Sequence, residues 1–198
     1  MALDATAIVD LTTAKGFLVV AGTSDDGAIE AAINAASLAC EHYCNRFFKE
    51  RTVTERVEGV CATKLYLSAV PLKATAAVTV SVDDVAQTVW RTEADGLQSA
   101  FDVLARPDHL YRRRGWDPLA DPYNVLLSYT GGFAAAALPA PVKEGCLYMV
   151  QKLFRDSKRQ LAEVAQVNTP MGGITILDNA MPRVAQMLLD PYRFGKVA

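Results

Sequence analysis

The sequence has few of the side chains that most often do chemistry. Only two of its 198 residues are histidines, His42 and His109. Beyond those two, general acid–base work would fall to carboxylates. Four cysteines are too few for a disulfide scaffold in a chain this long, and a reducing cytosol would keep them as thiols. No apolar run approaches the ~18 residues that cross a bilayer, since the longest, residues 133–142, is broken by Pro139 and Pro141. The opening residues MALDATAIVD carry acids where a signal peptide carries bases, so the protein is expected to stay in the compartment where it is made. A net charge of −2 removes the electrostatic case for tight nucleic-acid binding, because such domains are usually strongly basic.

What is present reads as a folded protein. The apolar set makes up 51% of the residues and charged residues 21%, a balance that excludes a disordered chain. At this length one core, or a core with a small subdomain, can form, and a single domain over 1–198 is expected. Charge is uneven. Residues 1–99 hold 8 basic and 13 acidic side chains and residues 100–198 hold 12 and 9, nets of −5 and +3, a division that suits a subunit stacked between two different neighbours and many ordinary folds alike.

The best-specified stretch is 23–48, where the spacing predicts one long amphipathic helix. Ile29, Ile33, Ala36, Cys40, Tyr43, Cys44 and Phe47 recur every three or four residues, with Glu30, Asn34, Ser37, Glu41 and Asn45 on the opposite, wet side. Thr23 and Asp26 have the spacing of a capping box, and Asp25 and Asp26 suit the helix N-terminus. Before it, a short helix through Phe17 and Leu18 is expected, capped by Thr12 or Thr13. Residues 51–133 alternate in polarity and are rich in β-branched side chains, so they read as a β-rich insert. It contains a hairpin about Asp83-Asp84, short strands near 101–104 and 109–112, and a last strand placing Val125, Leu127 and Tyr129 on one face before Gly131-Gly132. A second helix begins at Pro141 with the stripe Val142, Cys146, Met149, Val150, Leu153 and Phe154, and should pack against the first. Residues 160–173 read as a polar linker, 173–178 as strand-like, and 184–189 as a short helix stopped by Pro191.

Each cluster that could carry chemistry has a plainer explanation. Cys40 and Cys44 lie one helical turn apart, but His42 points about 200° from Cys40 on a helix and cannot join them in a metal site. Both cysteines lie on the buried stripe and are read as core packing. Cys61 with His109 is the remaining nucleophile–base pairing, with no local motif to support it. The Asp25-Asp26 and Asp83-Asp84 pairs are explained by a helix start and a turn. No metal, cofactor or catalytic residue is therefore assigned. Two features remain as contact sites. Arg112, Arg113 and Arg114, between Tyr111 and Trp116, form either a solvated loop tip or a contact for DNA or an acidic partner. Leu188, Leu189, Tyr192 and Phe194, near the end of the sequence, either fold back onto the core or dock in a groove on another protein.

The order of these pieces resembles the head-tail connector, or adaptor, proteins of long-tailed bacteriophages and gene transfer particles. The residues that carry the resemblance are the helix SDDGAIEAAINAASLACEHYCNRFF, the Pro71-Leu72 break followed by AVTVSV, the strand YNVLLSYTGGF, the proline-led helix PVKEGCLYMVQKLFRDSK, and the closing LLDPYR. The resemblance implies an α+β fold: an antiparallel helical core of connector type (1–50 and 134–162), the inserted antiparallel β-rich subdomain (51–133) and a C-terminal extension (163–198). It implies a non-enzymatic virion protein of the neck, made in the bacterial host cytoplasm. Such a protein forms a ring, commonly dodecameric, between the portal protein and the tail or stopper protein, with DNA passing transiently through its channel and no membrane involved. It also implies portal docking by Leu188, Leu189, Pro191, Tyr192, Arg193 and Phe194. The alternatives are a tail-completion or stopper protein and a small cytosolic enzyme using Cys61 or the carboxylates. Smaller connectors are almost wholly helical, so the insert departs from them.

Overall fold

The computed structural model describes residues 2–58, 62–73, 75–90, 103–116, 125–159, 166–169, 172–175 and 181–193. The fold is α+β, and the chain divides into two compact units, one of residues 1–45 with 138–198 and one of residues 46–137.

The first unit is built on helices α1 (Leu11–Leu18), α2 (Asp26–Cys44), α3 (Ala140–Arg159) and α4 (Arg183–Leu189). α1 is capped by Asp10, not by Thr12 or Thr13: its carboxylate accepts the Thr13 backbone N–H and the Thr13 hydroxyl, both at 2.8 Å. A carboxylate offers two acceptors and the charge that the helix N-terminus favours, and these bonds hold the Asp10 carboxyl below its usual pKa. α2 starts three residues later than expected. The Thr23 carbonyl accepts the Asp26 N–H at 3.3 Å, but no capping box closes, because Lys15 binds the Asp26 carboxylate at 2.5 Å and Lys158 binds that of Asp25 at 2.5 Å. α2 also ends early, at Asn45 in the left-handed conformation (φ 50°), which asparagine tolerates better than most residues.

Ile29, Ile33, Ala36, Cys40 and Cys44 are buried as the periodicity predicts, and so are Ser37 and Glu41, which it places on the wet side. The buried arc is wider than one stripe because α1, α3 and α4 all pack on α2. Ser37 is satisfied there, accepting the Ile8 N–H at 3.0 Å and donating to the Ile33 carbonyl at 2.8 Å. The exposed side of α2 is Ala31, Ala35, Leu38 and His42. On α3, Val142, Cys146, Met149, Val150 and Phe154 are buried together with Leu147, and Tyr148 meets Phe17 of α1 edge to face at 5.4 Å. Between α3 and α4, β9 (Gln166–Thr169), in the stretch expected to be a linker, pairs antiparallel with β10 (Gly172–Thr175), which overlaps the stretch expected to be strand-like.

The second unit holds two four-stranded sheets built from β1 (Arg51–Val57), β2 (Lys64–Tyr66), β3 (Thr79–Val82), β4 (Val85–Ala86), β5 (Val89–Trp90), β6 (Val103–Ala105), β7 (His109–Arg112) and β8 (Val125–Gly131). One has the order β1-β8-β3-β4 and the other β2-β7-β6-β5. The first is antiparallel throughout. The second departs from the antiparallel expectation, because β5 lies parallel to β6. The hairpin about Asp83-Asp84 forms, with both residues at positive φ (50° and 62°), the twist that a two-residue hairpin turn needs. Its return arm is short: Val85 and Ala86 pair with β3, the Gln87 N–H donates to the Val80 carbonyl at 2.8 Å, and the chain then crosses to the other sheet. Val125, Leu127 and Tyr129 of β8 are buried on one face as predicted.

Candidate docking surfaces

The C-terminal segment folds back onto its own unit. α4 packs on α3 and reaches the C-terminal end of α2, and Leu189 is fully buried. It fits because α3 has a glycine there: a Cβ on Gly145 would lie 3.1 Å from Leu189 Cγ. The Cys44 thiol donates to the Leu189 carbonyl at 3.7 Å. Beyond α4 a short 3-10 turn, Asp190–Tyr192, is held at the surface. The Tyr43 hydroxyl donates to Asp190 Oδ1 at 2.5 Å, and the Arg193 guanidinium stands 4.8 Å from the centre of the Tyr43 ring. The bond to Asp190 raises the Tyr43 pKa, since the donor must keep its proton to make it.

Of the six residues expected to dock, Leu189 is therefore committed to the core. Leu188 and Tyr192 are half-buried, Pro191 and Arg193 are exposed, and Phe194 lies outside the described residues. Periodicity alone leaves out the apolar side chains that α4 presents outward, Val184 and Met187, which are 48% and 68% exposed. They stand three residues apart on one side of the helix.

The arginine cluster splits. Arg112 ends β7 with its side chain inward, 7% exposed, its guanidinium 5.6 Å from the ring centre of the fully buried Trp116. It donates to Gln87 Oε1 at 3.4 Å, and burial lowers its pKa. Arg113 and Arg114 are exposed. A strand ending at Arg112 alternates its side chains, so one of three consecutive arginines had to face the core.

Two internal sites set the backbone of the second unit. The Tyr129 hydroxyl donates to Glu55 Oε1 at 2.8 Å and accepts the Ala69 N–H at 3.2 Å, while Ser68 donates to Glu55 Oε2 at 2.7 Å. Burial, reinforced by the Glu55 charge, raises the Tyr129 pKa. The guanidinium of Arg46 lies 5.3 Å from the ring centre of Phe48 and 5.6 Å from that of Phe133, and donates to the Val70 carbonyl at 2.6 Å.

Among the described residues the chemical pairs suggested by the sequence do not assemble into a site. Cys40 and Cys44 are buried, and His42 is exposed on the other side of α2. The neighbouring Cys146 thiol of α3, together with burial, raises the Cys40 pKa, the opposite of an activated thiol. His109 Nδ1 is 2.9 Å from Asp108 Oδ1, and Cys61 lies outside the described residues. Among the described residues no group of three or more His, Cys, Asp or Glu side chains could hold a metal ion, and no helix is long and apolar enough to cross a membrane.

No protein-family model matches the chain, and no curated protein does. Solved structures match it over its whole length. A chain in the neck of an empty gene transfer agent particle, computed with C6 symmetry, aligns with a TM-score of 0.62 at 15% identity, covering 100% of this chain and 95% of that one. A chain in the virion of the native particle aligns at 0.59 and 17% identity, covering 100% and 95%. A chain in the native neck, computed with C12 symmetry, aligns at 0.58 and 16%, covering 100% and 94%. At such identity the likeness is one of fold, and it spans both the helical unit and the β unit.

Proposed function

We propose that this chain is a structural, non-enzymatic subunit of a particle neck: a head-tail connector that forms a ring between portal and tail and continues the DNA channel. The observation that supports the reading is the full-length likeness of fold to chains in gene transfer agent necks. It is independent of the short motifs that suggest the same class. In this reading the helical unit is a connector-type core. Cyclic necks join identical subunits through two different faces each, and the −5/+3 division of charge along the sequence suits such a subunit.

Portal docking falls to Leu188, Pro191, Tyr192, Arg193 and Phe194, with Leu189 anchoring the segment from inside. Arg113 and Arg114 are the contact for DNA or a neighbouring acidic surface, with Arg112 holding their strand end in place. A tail-completion or stopper protein is the second reading, since it too would form a ring but would lack portal affinity.

The test is a producer strain in which the gene for this chain is disrupted. Filled heads without tails, restored by the wild-type chain, are expected; complete tailed particles would overturn the reading. Docking is then probed by Tyr192→Ala with Arg193→Glu, not by truncation before Met187, which would strip Leu189 from the core. Loss of co-purification with the portal is expected, and unchanged co-purification would reassign the segment.

A further inference from the structure

Val19 ends α1 in the left-handed conformation, φ 57°, and its backbone N–H bonds to the Gly16 and Lys15 carbonyls. Glycine is the usual residue at such a helix end, and a β-branched side chain there is a genuine outlier. The strain supports no internal packing, because the Val19 side chain is 90% exposed. An apolar knob is thus held out into solvent on a costly backbone. Costs of this kind persist where they serve a site.

Among the described residues the helical unit has a second exposed apolar feature, at the other end of α2. Lys15, one turn before Val19, is tied to Asp26 at the start of α2. α4 and the turn after it are tied to the end of α2 through Tyr43 and Asp190. A helix of 19 residues separates the two by roughly 28 Å. Val184 and Met187 face outward there as a two-residue patch. Knob and patch are too far apart to meet within one copy.

We propose that Val19 of one copy seats against Val184 and Met187 of the next, making this pair the head-to-tail contact of the ring. The proposal rests on the neck reading given above, since the cyclic symmetry in that reading supplies the second copy as the occupant. A head-to-tail contact needs two unlike, complementary surfaces on each subunit. These two are unlike, both apolar, and distinct from the residues assigned to portal docking. Leu38 is a third exposed apolar side chain, but it stands alone on α2 among exposed alanines.

The test compares the wild-type chain with Val19→Gly and Met187→Ser by sedimentation velocity and negative-stain microscopy over a wide concentration range, with thermal unfolding in parallel. Glycine relieves the left-handed strain, so Val19→Gly should raise Tm by roughly 2–4 °C while weakening assembly at least about tenfold. Met187→Ser should weaken assembly comparably. The double variant should be little worse than either single one, since both remove the same contact. A photo-crosslinking residue in place of Val19 should form intermolecular adducts at Val184 or Met187. Wild-type rings that Val19→Gly still forms with unchanged affinity, or adducts at Leu38 instead, would overturn this inference and leave the neck reading standing. A wild-type chain that never assembles would overturn both the ring and this contact.

Discussion

Each unit has a close approach at a glycine, yet the two are not alike. Gly145 on α3 faces the end of a flexible side chain, with Leu189 Cγ 3.1 Å from where a Cβ would stand. Gly131 at the end of β8 faces backbone: a Cβ there would lie 2.0 Å from the Ala69 carbonyl oxygen. Its neighbour Gly132, at φ 102°, would bring one to 2.6 Å from the Lys49 carbonyl oxygen. A side chain can turn aside by rotating one bond, whereas a carbonyl within a bonded loop moves only if the loop moves. The helical unit closes on yielding contacts and the β unit on unyielding ones.

The largest expected effect follows directly. Gly131→Ala should destabilise its unit by more than about 4 kcal/mol, in the range reached when a substitution forces backbone apart. Gly145→Ala should cost only about 1 kcal/mol, as overpacking against a movable leucine does. Hydrogen exchange of the β1 and β8 amides for the first variant, and of the α3 and α4 amides for the second, reads each effect in its own unit. Equal losses in the two would erase the distinction.

The sequence conveys the helical unit better than the β unit. Helical periodicity is redundant over five turns of α2, so the buried set Ile29, Ile33, Ala36, Cys40 and Cys44 is legible even though both ends of the helix are misplaced. The start depends on Lys15 and Lys158, which draw Asp26 and Asp25 away from capping, and the end on the left-handed turn at Asn45. In the β unit the alternation of Val125, Leu127 and Tyr129 and the turn at Asp83-Asp84 are local and legible. The transfer of Val89 and Trp90 to a second sheet, parallel to Val103 and Leu104, depends on non-local pairing that no short pattern records. The docking surfaces are legible only in part. LLDPYR announces an apolar C-terminal segment, but which of its leucines is buried is decided by Gly145, more than forty residues away. Val19 could have been suspected only from a helix that ends without the customary glycine.

A middle-sized effect separates the units by pH. In the β unit Tyr129 is buried, and burial pushes its pKa above the ordinary phenol value of about 10. A raised acid pKa means that its neutral form stabilises the fold fully below pH 10, and that this contribution is lost as pH rises from 10 through the folded value. Tyr129→Phe should cost roughly 1–2 kcal/mol near pH 8, because the Ala69 N–H and a Glu55 oxygen lose their partner. It should also remove the alkaline loss, whose slope is at most about 1.4 kcal/mol per pH unit. Urea unfolding of the two proteins should give stabilities that converge as pH rises from 9 to 11. Parallel curves would mean that the phenol does not couple to folding.

The smallest effect lies in the helical unit, where the same residue type sits at the surface. Tyr43 also has a raised pKa, caused first by its hydrogen bond to Asp190. Because solvent screens this pair, Tyr43→Phe should change global stability by less than about 0.5 kcal/mol. Its consequence should be local. Leu189 remains buried and continues to anchor α4, but the turn Asp190–Tyr192 loses the bond that fixes it to α2. Amide exchange at residues 190–193 should accelerate several-fold while that of α2 and α3 stays unchanged. If Pro191, Tyr192 and Arg193 meet a partner in the geometry that this bond presets, affinity should fall with them even though the fold does not. Unchanged exchange in that turn would show that Leu189 alone holds the segment, leaving the Tyr43–Asp190 bond no part in presenting it.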